Sequence, residues 1–201
     1  MTLSGMGKNA IEGKLHVVTF DLETRRLATD VGGWSNLKRG DGGISALVVF
    51  DSLSTRYHLY AEHPLVAAAQ HLESADVVLS FNGQDFDVPV IEGILQRRLE
   101  IGVHVDLLQL VWAAVTGRRK GNKLDDIALR TLGYGKPHDG TLAPTLADEG
   151  RWAELFDYCL LDVELTKKLF AYAQENGAII NGMGELVELQ LPAWFGGINL
   201  S

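Results

Sequence analysis

The spacing of apolar and polar residues divides the chain into strands, then strands alternating with helices, then helices alone. Leu15 to Phe20 (LHVVTF), Ile44 to Asp51 (ISALVVFD) and Arg56 to Tyr60 read as three strands. Gly32-Gly33 and the glycine-rich stretch Gly40 to Gly43 punctuate a loop between the first two. Beyond Pro64, LVAAAQHLE reads as a helix, and Val77 to Phe81 as a fourth strand running into the turn pair Asn82-Gly83. A helix is expected from about Pro89 to Arg98, a short strand at Val103 to Val105, and a helix over Leu107 to Val115 capped by Asp106. Asn122, with Asp125 at the capping-box spacing, is expected to open another helix that ends at Leu132 before Gly133. The longest helix covers Arg151 to Asn176, with Gly177 as its stop. Its apolar stripe is Trp152, Leu155, Phe156, Cys159, Val163 and Phe170. Glu185 to Leu191 is ambiguous between strand and helix, and the first thirteen residues read as a loose tail. This order suits an α/β fold with a mixed sheet flanked by helices.

Composition narrows the reading. A chain of 201 residues with 46% hydrophobic content can build one sizeable core. The longest clean apolar run, Ala46 to Phe50, is far too short to span a bilayer, and no apolar run follows a basic start. One cysteine, Cys159, excludes an intramolecular disulfide framework and a multi-cysteine zinc site. A soluble, cytoplasmic protein without membrane contact is the expectation. Its formal charge of −8 excludes a basic nucleic-acid coat and a polybasic anchor at the level of the whole chain. The six histidines show no HExxH-like spacing and read as scattered surface or boundary residues; neither a phosphate-binding P-loop nor a dinucleotide glycine pattern is present.

The candidate chemistry lies in a few acids. Asp21 and Glu23 stand two apart at the end of the first strand, so both carboxylates project from one face. Such a pair needs a cation or raised pKa values unless it is simply solvated in a strand-to-loop turn. Asp87 follows the turn FNGQDF and precedes Val88-Pro89, where a helix N-cap is the competing explanation; Asp85 is a nearby decoy. Tyr158 and Asp162, four apart on the long helix, share one face on the flank of its apolar stripe. Arg118-Arg119-Lys120 with Lys123 forms the densest basic cluster, either a phosphate contact or a solvated loop, and Arg25-Arg26, just beyond the first acidic pair, are the better candidates for backbone contact.

Taken together, VTFDLET, LSFNGQDFDVPVI and FDYCLLDVELT resemble the three motifs of the DnaQ-like 3′→5′ exonucleases, in the tyrosine-containing branch called DEDDy. That branch includes ribonuclease D and the proofreading domains of DNA polymerases. VDLLQL and KLDDIALRTLG resemble the family's segments between its second and third motifs, and GGWSN resembles bacterial stand-alone relatives of the proofreading domain. The histidine-containing branch would need a His where Asp157 stands. The resemblance implies an RNase H-like fold, with the exonuclease domain over 14–176 and an extension of unknown role over 177–201. It implies that Asp21, Glu23, Asp87 and Asp162 hold two Mg²⁺ or Mn²⁺ ions, and that Tyr158 orients the attacking water. Leu22, Thr24, Asn82 and Phe86 would shape the nucleotide pocket. The implied substrate is a single-stranded DNA or RNA 3′ end. Nothing in the chain resembles a polymerase domain, so a proofreading role would need a partner polymerase; a partner helicase is equally open. A structure-selective endonuclease of the same fold and a catalytically weak nucleic-acid-binding adaptor are the alternatives. Two bound divalent cations would halve the formal charge of −8.

Overall fold

The structure, a computed structural model, describes residues 15–61, 63–115, 121–136, 142–198 and 200. The expected N-terminal tail and the basic residues Arg118, Arg119 and Lys120 lie outside the described residues. Strand β1 (Val17–Thr24) is followed by a short helical turn, α1 (Trp34–Asn36), and a wider π-type turn over Leu37–Asp41 that bends at Gly40. Then come β2 (Ile44–Asp51), β3 (Arg56–Tyr60), α2 (Leu65–Ser74), β4 (Val77–Ser80), α3 (Asp87–Leu95), β5 (His104–Asp106) and α4 (Leu107–Ala114). Next are α5 (Leu124–Leu132), α6 (Leu142–Asp148), α7 (Trp152–Asn176), β6 (Ala178–Ile180) and β7 (Leu186–Glu188), and a 3₁₀ turn over Ala193–Gly197. The central sheet has the order β3-β2-β1-β4-β5. β1 pairs antiparallel with β2 and parallel with β4, so the sheet is mixed.

Period-two alternation sorts the sheet's side chains onto two layers. Val18, Phe20 and Leu22 of β1 and Leu47 and Val49 of β2 pack on one face with α2 and α3. On the other, Ala46, Val48 and Phe50 meet α6 and the first half of α7, while Val17, Val77 and Leu79 meet α4, α5 and the second half of α7. β2 is buried along its whole length, which explains the apolar run Ala46 to Phe50 as an inner strand. Among the described residues, no helix is long and apolar enough to cross a membrane.

Several expectations shift. β1 runs four residues past Phe20, because its ladder with β2 continues through Asp21↔Val48 and Glu23↔Ala46. The placement of Asp21 and Glu23 on the end of the first strand holds, and the competing strand-to-loop turn does not. Asn122 does not open α5: the helix begins at Leu124 with Lys123 at its cap, and the Asp125 carboxylate instead accepts the Lys136 N–H at 3.3 Å. Helix α6 was not expected; it buries Ala143, Leu146 and Ala147 against β2 and α7. Trp152 is exposed rather than part of the α7 stripe. The ambiguous ELVELQL contains β7, a hairpin partner of β6. The residues beyond Gly177 pack on the core, with Val187, Leu189, Phe195, Ile198 and Leu200 all buried.

Candidate active site

The site forms where the sheet ladder stops short. β4 pairs with β1 only at Val17 to Thr19, so the later residues of β1 lose their neighbour on that side. Asp87 fills part of the gap: its Oδ1 accepts the Leu22 N–H at 3.2 Å, as a strand carbonyl would have done. Asp87 is therefore the first residue of α3 and not its cap, a position held by Phe86. The preceding turn is tied down by Asp106, which accepts the N–H groups of Asn82 (2.9 Å) and Gln84 (2.9 Å) while capping α4 through Leu108 and Gln109. Asn82 takes the left-handed conformation (φ 67°) that this tight turn needs.

On the face toward α7, one ligand oxygen from each of Asp21, Glu23 and Asp162 falls within 4.8 Å of the others. Asp87 and Tyr158 line the same cleft of about 360 Å³, as do Leu22, Asn82 and Phe86. The expected site residues thus converge, with one exception in placement: the Thr24 hydroxyl turns away to donate to the Arg26 carbonyl at 2.9 Å. Asp85 is exposed and accepts the Gln109 side chain at 2.8 Å. Arg25 is half-buried and its N–H donates to the Gly43 carbonyl, fastening the end of β1 to the loop. Lys123 of the basic cluster does line the cleft. Cys159, buried and packed on β1, donates its thiol to the Asp21 carbonyl at 3.4 Å; burial pushes its pKa up, so it is a packing residue and not a nucleophile.

Electrostatics sets this cluster apart. Burial raises the pKa of Asp21 well above its ordinary value, and the neighbouring Asp87, Asp162 and Glu23 raise it further. Glu23 is raised for the same reasons, burial first and Asp162 next. Burial lifts Asp87 to about 7 despite the Leu22 N–H. The buried Asp162 is also raised by burial, and its Oδ1 has no hydrogen-bond partner among the described residues. A buried, unpartnered carboxylate oxygen beside two more carboxylates fits a hard divalent cation.

One functional side chain went unread in the sequence. Lys136 Nζ donates to Asp162 Oδ2 at 2.7 Å and to the Tyr158 hydroxyl at 3.0 Å, and lies 4.7 Å from the centre of the Tyr158 ring. Burial opposes its charge, but Asp162 and Tyr158 more than offset this and raise its pKa. Burial moves Tyr158 up to about 12, so it stays protonated. Lys136 follows α5 in a loop, 22 residues before Tyr158. No local pattern marks it; only the fold brings it to the acids.

Comparison with known proteins agrees with this fold. A family B DNA polymerase from the hyperthermophilic archaeon Pyrobaculum calidifontis shares the fold, with a TM-score of 0.59 at 19% identity over 79% of this chain. The matched region is 24% of the polymerase, so this chain spans about a quarter of that protein. No curated protein matches the sequence. The family model of the RNase_H superfamily matches residues 18–174, a span that includes all four carboxylates, Lys136 and Tyr158. With that match over most of its length, on a mixed five-stranded sheet flanked by helices, the chain belongs to the RNase H superfamily.

Proposed function

We propose that the chain is a metal-dependent 3′→5′ exonuclease of the DEDDy type, which hydrolyses phosphodiester bonds at single-stranded DNA or RNA ends. The observation that carries this reading is the convergence of Asp21, Glu23 and Asp162 within 4.8 Å, with Asp87 and Tyr158 in the same cleft. Asp21, Glu23, Asp87 and Asp162 would hold two Mg²⁺ or Mn²⁺ ions. When bound, such ions supply Lewis-acid stabilisation of the attacking and leaving oxygens and make water a nucleophile near neutral pH.

The chain's own residues do the rest. Tyr158, with a pKa near 12, keeps its proton and orients water through its hydroxyl, a position fixed by Lys136 at 3.0 Å. Lys136 brings a positive charge to where negative charge develops on the phosphate. Phe86 and Leu22 offer apolar walls to a base, and Trp34 extends that wall, edge-on to Phe86 with ring centres 5.8 Å apart. A partner polymerase is consistent with the structural neighbour's identity as a polymerase; a partner helicase stands open in the same way.

The test is release of mononucleotides from a 3′-labelled oligonucleotide with Mn²⁺, for wild type, Asp87→Asn and Asp85→Asn. The reading expects Asp87→Asn to be inactive and Asp85→Asn to match wild type. Internal fragments would favour the endonuclease reading, and a gel shift without cleavage would favour a binding module. Tyr158→Phe is expected to lower kcat by about tenfold or more with little change in KM.

A further inference from the structure

At the other end of β1, away from the acids, three of the supposedly scattered histidines gather. His16 precedes the strand, His71 stands in the last turn of α2, and His58 lies on β3 with its ring edge-on to His71, centres 4.7 Å apart. Asp51, the last residue of β2, lies between the first two: its Oδ2 is 3.2 Å from His16 Nε2 and 2.9 Å from His71 Nε2. One ligand atom from each of the three lies within 4.8 Å of the others, and the side chains are only 8–12% exposed.

The hydrogen bonds around this trio are arranged for a cation. His16 Nδ1 faces the Ser74 carbonyl at 3.3 Å, and a carbonyl can only accept, so the ring proton sits on Nδ1. In the neutral ring that leaves the Nε2 lone pair facing the Asp51 carboxylate at 3.2 Å, a pair of acceptors that a shared cation would bridge. His71 Nδ1 also has an outer partner, the Tyr60 hydroxyl at 2.9 Å, and in the tautomer whose Nδ1–H donates to that oxygen its Nε2 is a ligand. The second Asp51 oxygen is occupied by the N–H groups of Leu53 (2.8 Å) and Ser54 (2.9 Å), leaving Oδ2 to turn inward. Outer hydrogen bonds of this kind are what orient histidine and carboxylate ligands on a metal. Ligands about 2.0–2.1 Å from a tetrahedral zinc lie about 3.3 Å from one another, close to the two spacings found here.

We propose that His16, Asp51 and His71 form a second metal site, specific for a borderline divalent ion such as Zn²⁺ and structural in use. Two imidazoles and one carboxylate suit Zn²⁺ better than Mg²⁺, which prefers oxygen ligands alone. The site joins the start of β1, the end of β2 and the end of α2. It lies five to seven strand residues, roughly 16–23 Å, from the acidic pair. Its ion would therefore staple the helix to the sheet and take no part in phosphodiester chemistry.

The experiment uses untagged, EDTA-treated protein titrated with Zn²⁺ alone, in wild type and in Asp21→Asn/Asp162→Asn, where the acidic site is disabled. The proposal expects the double variant to bind one Zn²⁺ per chain at sub-micromolar Kd, with Tm raised by about 5–10 °C. His71→Gln and His16→Gln, made separately in that background, should each weaken binding at least about 100-fold. X-ray absorption of the zinc-loaded double variant, whose histidines are all native, should show two imidazoles near 2.0–2.1 Å. Failure of the double variant to bind Zn²⁺ at about 10 μM, well above the expected Kd, binding unaffected by both histidine variants, or a zinc shell without imidazole would overturn the site.

Discussion

The two ends of β1 hold carboxylates in opposite settings. At the Asp21 end, three acids converge, one of them paired with Lys136, and every acid of the cluster has its pKa raised, Asp87 to about 7. At the His16 end, one acid accepts the Leu53 and Ser54 N–H groups and has two imidazoles beside it: burial works against the Asp51 charge, but the Ser54 N–H and then His71 bring its pKa down to about 2. Burial is common to both ends, so the difference lies in the neighbours. Crowded carboxylates with one orphaned oxygen are short of positive charge and call for hard cations. A lone carboxylate between two ring nitrogens is not short of charge, and what it can select is a softer ion. One strand can thus carry a reactive end and a structural end.

The sharpest way to break this contrast is to remove one carboxylate or one histidine. Asp162→Asn is expected to lower exonuclease kcat by about 10³-fold or more, while His71→Gln leaves kcat near wild type at 25 °C. Equal losses in the two would mean that the ends do not differ in function. Next in size is Lys136→Met. Lys136 and Asp162 are both under a tenth exposed, so removing the cation strands a buried carboxylate. Denaturant melts in EDTA should show a loss of about 3 kcal/mol, and Mn²⁺ affinity should rise because a competing cation is gone. An unchanged melt would show that the lysine is not the resident counter-ion.

A smaller effect separates the ends by pH. Asp87 has a folded pKa above its unfolded value, so the metal-free protein loses stability as pH rises from about 4 to about 7. Asp51 has a folded pKa below its unfolded value, so its contribution is present above about 4 and is lost as pH falls toward 2. The Tm in EDTA should therefore peak near pH 4–5, and Asp87→Asn should flatten the decline on the alkaline side. A Tm that climbs steadily from pH 4 to 7 would contradict the sign. The smallest expected change is at Trp34, 66% exposed on the cleft's rim. Trp34→Ala should raise KM for an oligonucleotide by about tenfold, from one lost stacking contact, with kcat unchanged.

Much of this was legible in the chain because it is local. β2 and β3 have the expected limits, Asp106 caps α4, and Gly177 ends α7 in the left-handed conformation. The spacings of Asp21 with Glu23 and of Tyr158 with Asp162 encode shared faces, and the fold does bring those faces into one cleft. What stayed hidden is non-local. Asp87 looks like a helix cap until the missing β4 ladder exposes the Leu22 N–H that it accepts. Lys136 and the trio His16, Asp51 and His71 have no mutual spacing that a helix or strand period could reveal. Their partners sit 20 to 58 residues away and meet only through tertiary packing. Asp125 shows the converse, a residue whose local capping pattern is overridden because its carboxylate holds the lysine loop.

The most direct test of the acidic end is a time course on a 5′-labelled single strand with Mn²⁺, before and after EDTA. The account predicts a ladder that shortens from the 3′ end one nucleotide at a time, stops on chelation and resumes when Mn²⁺ is restored. Cleavage that persists in EDTA, or internal fragments without a ladder, would contradict it.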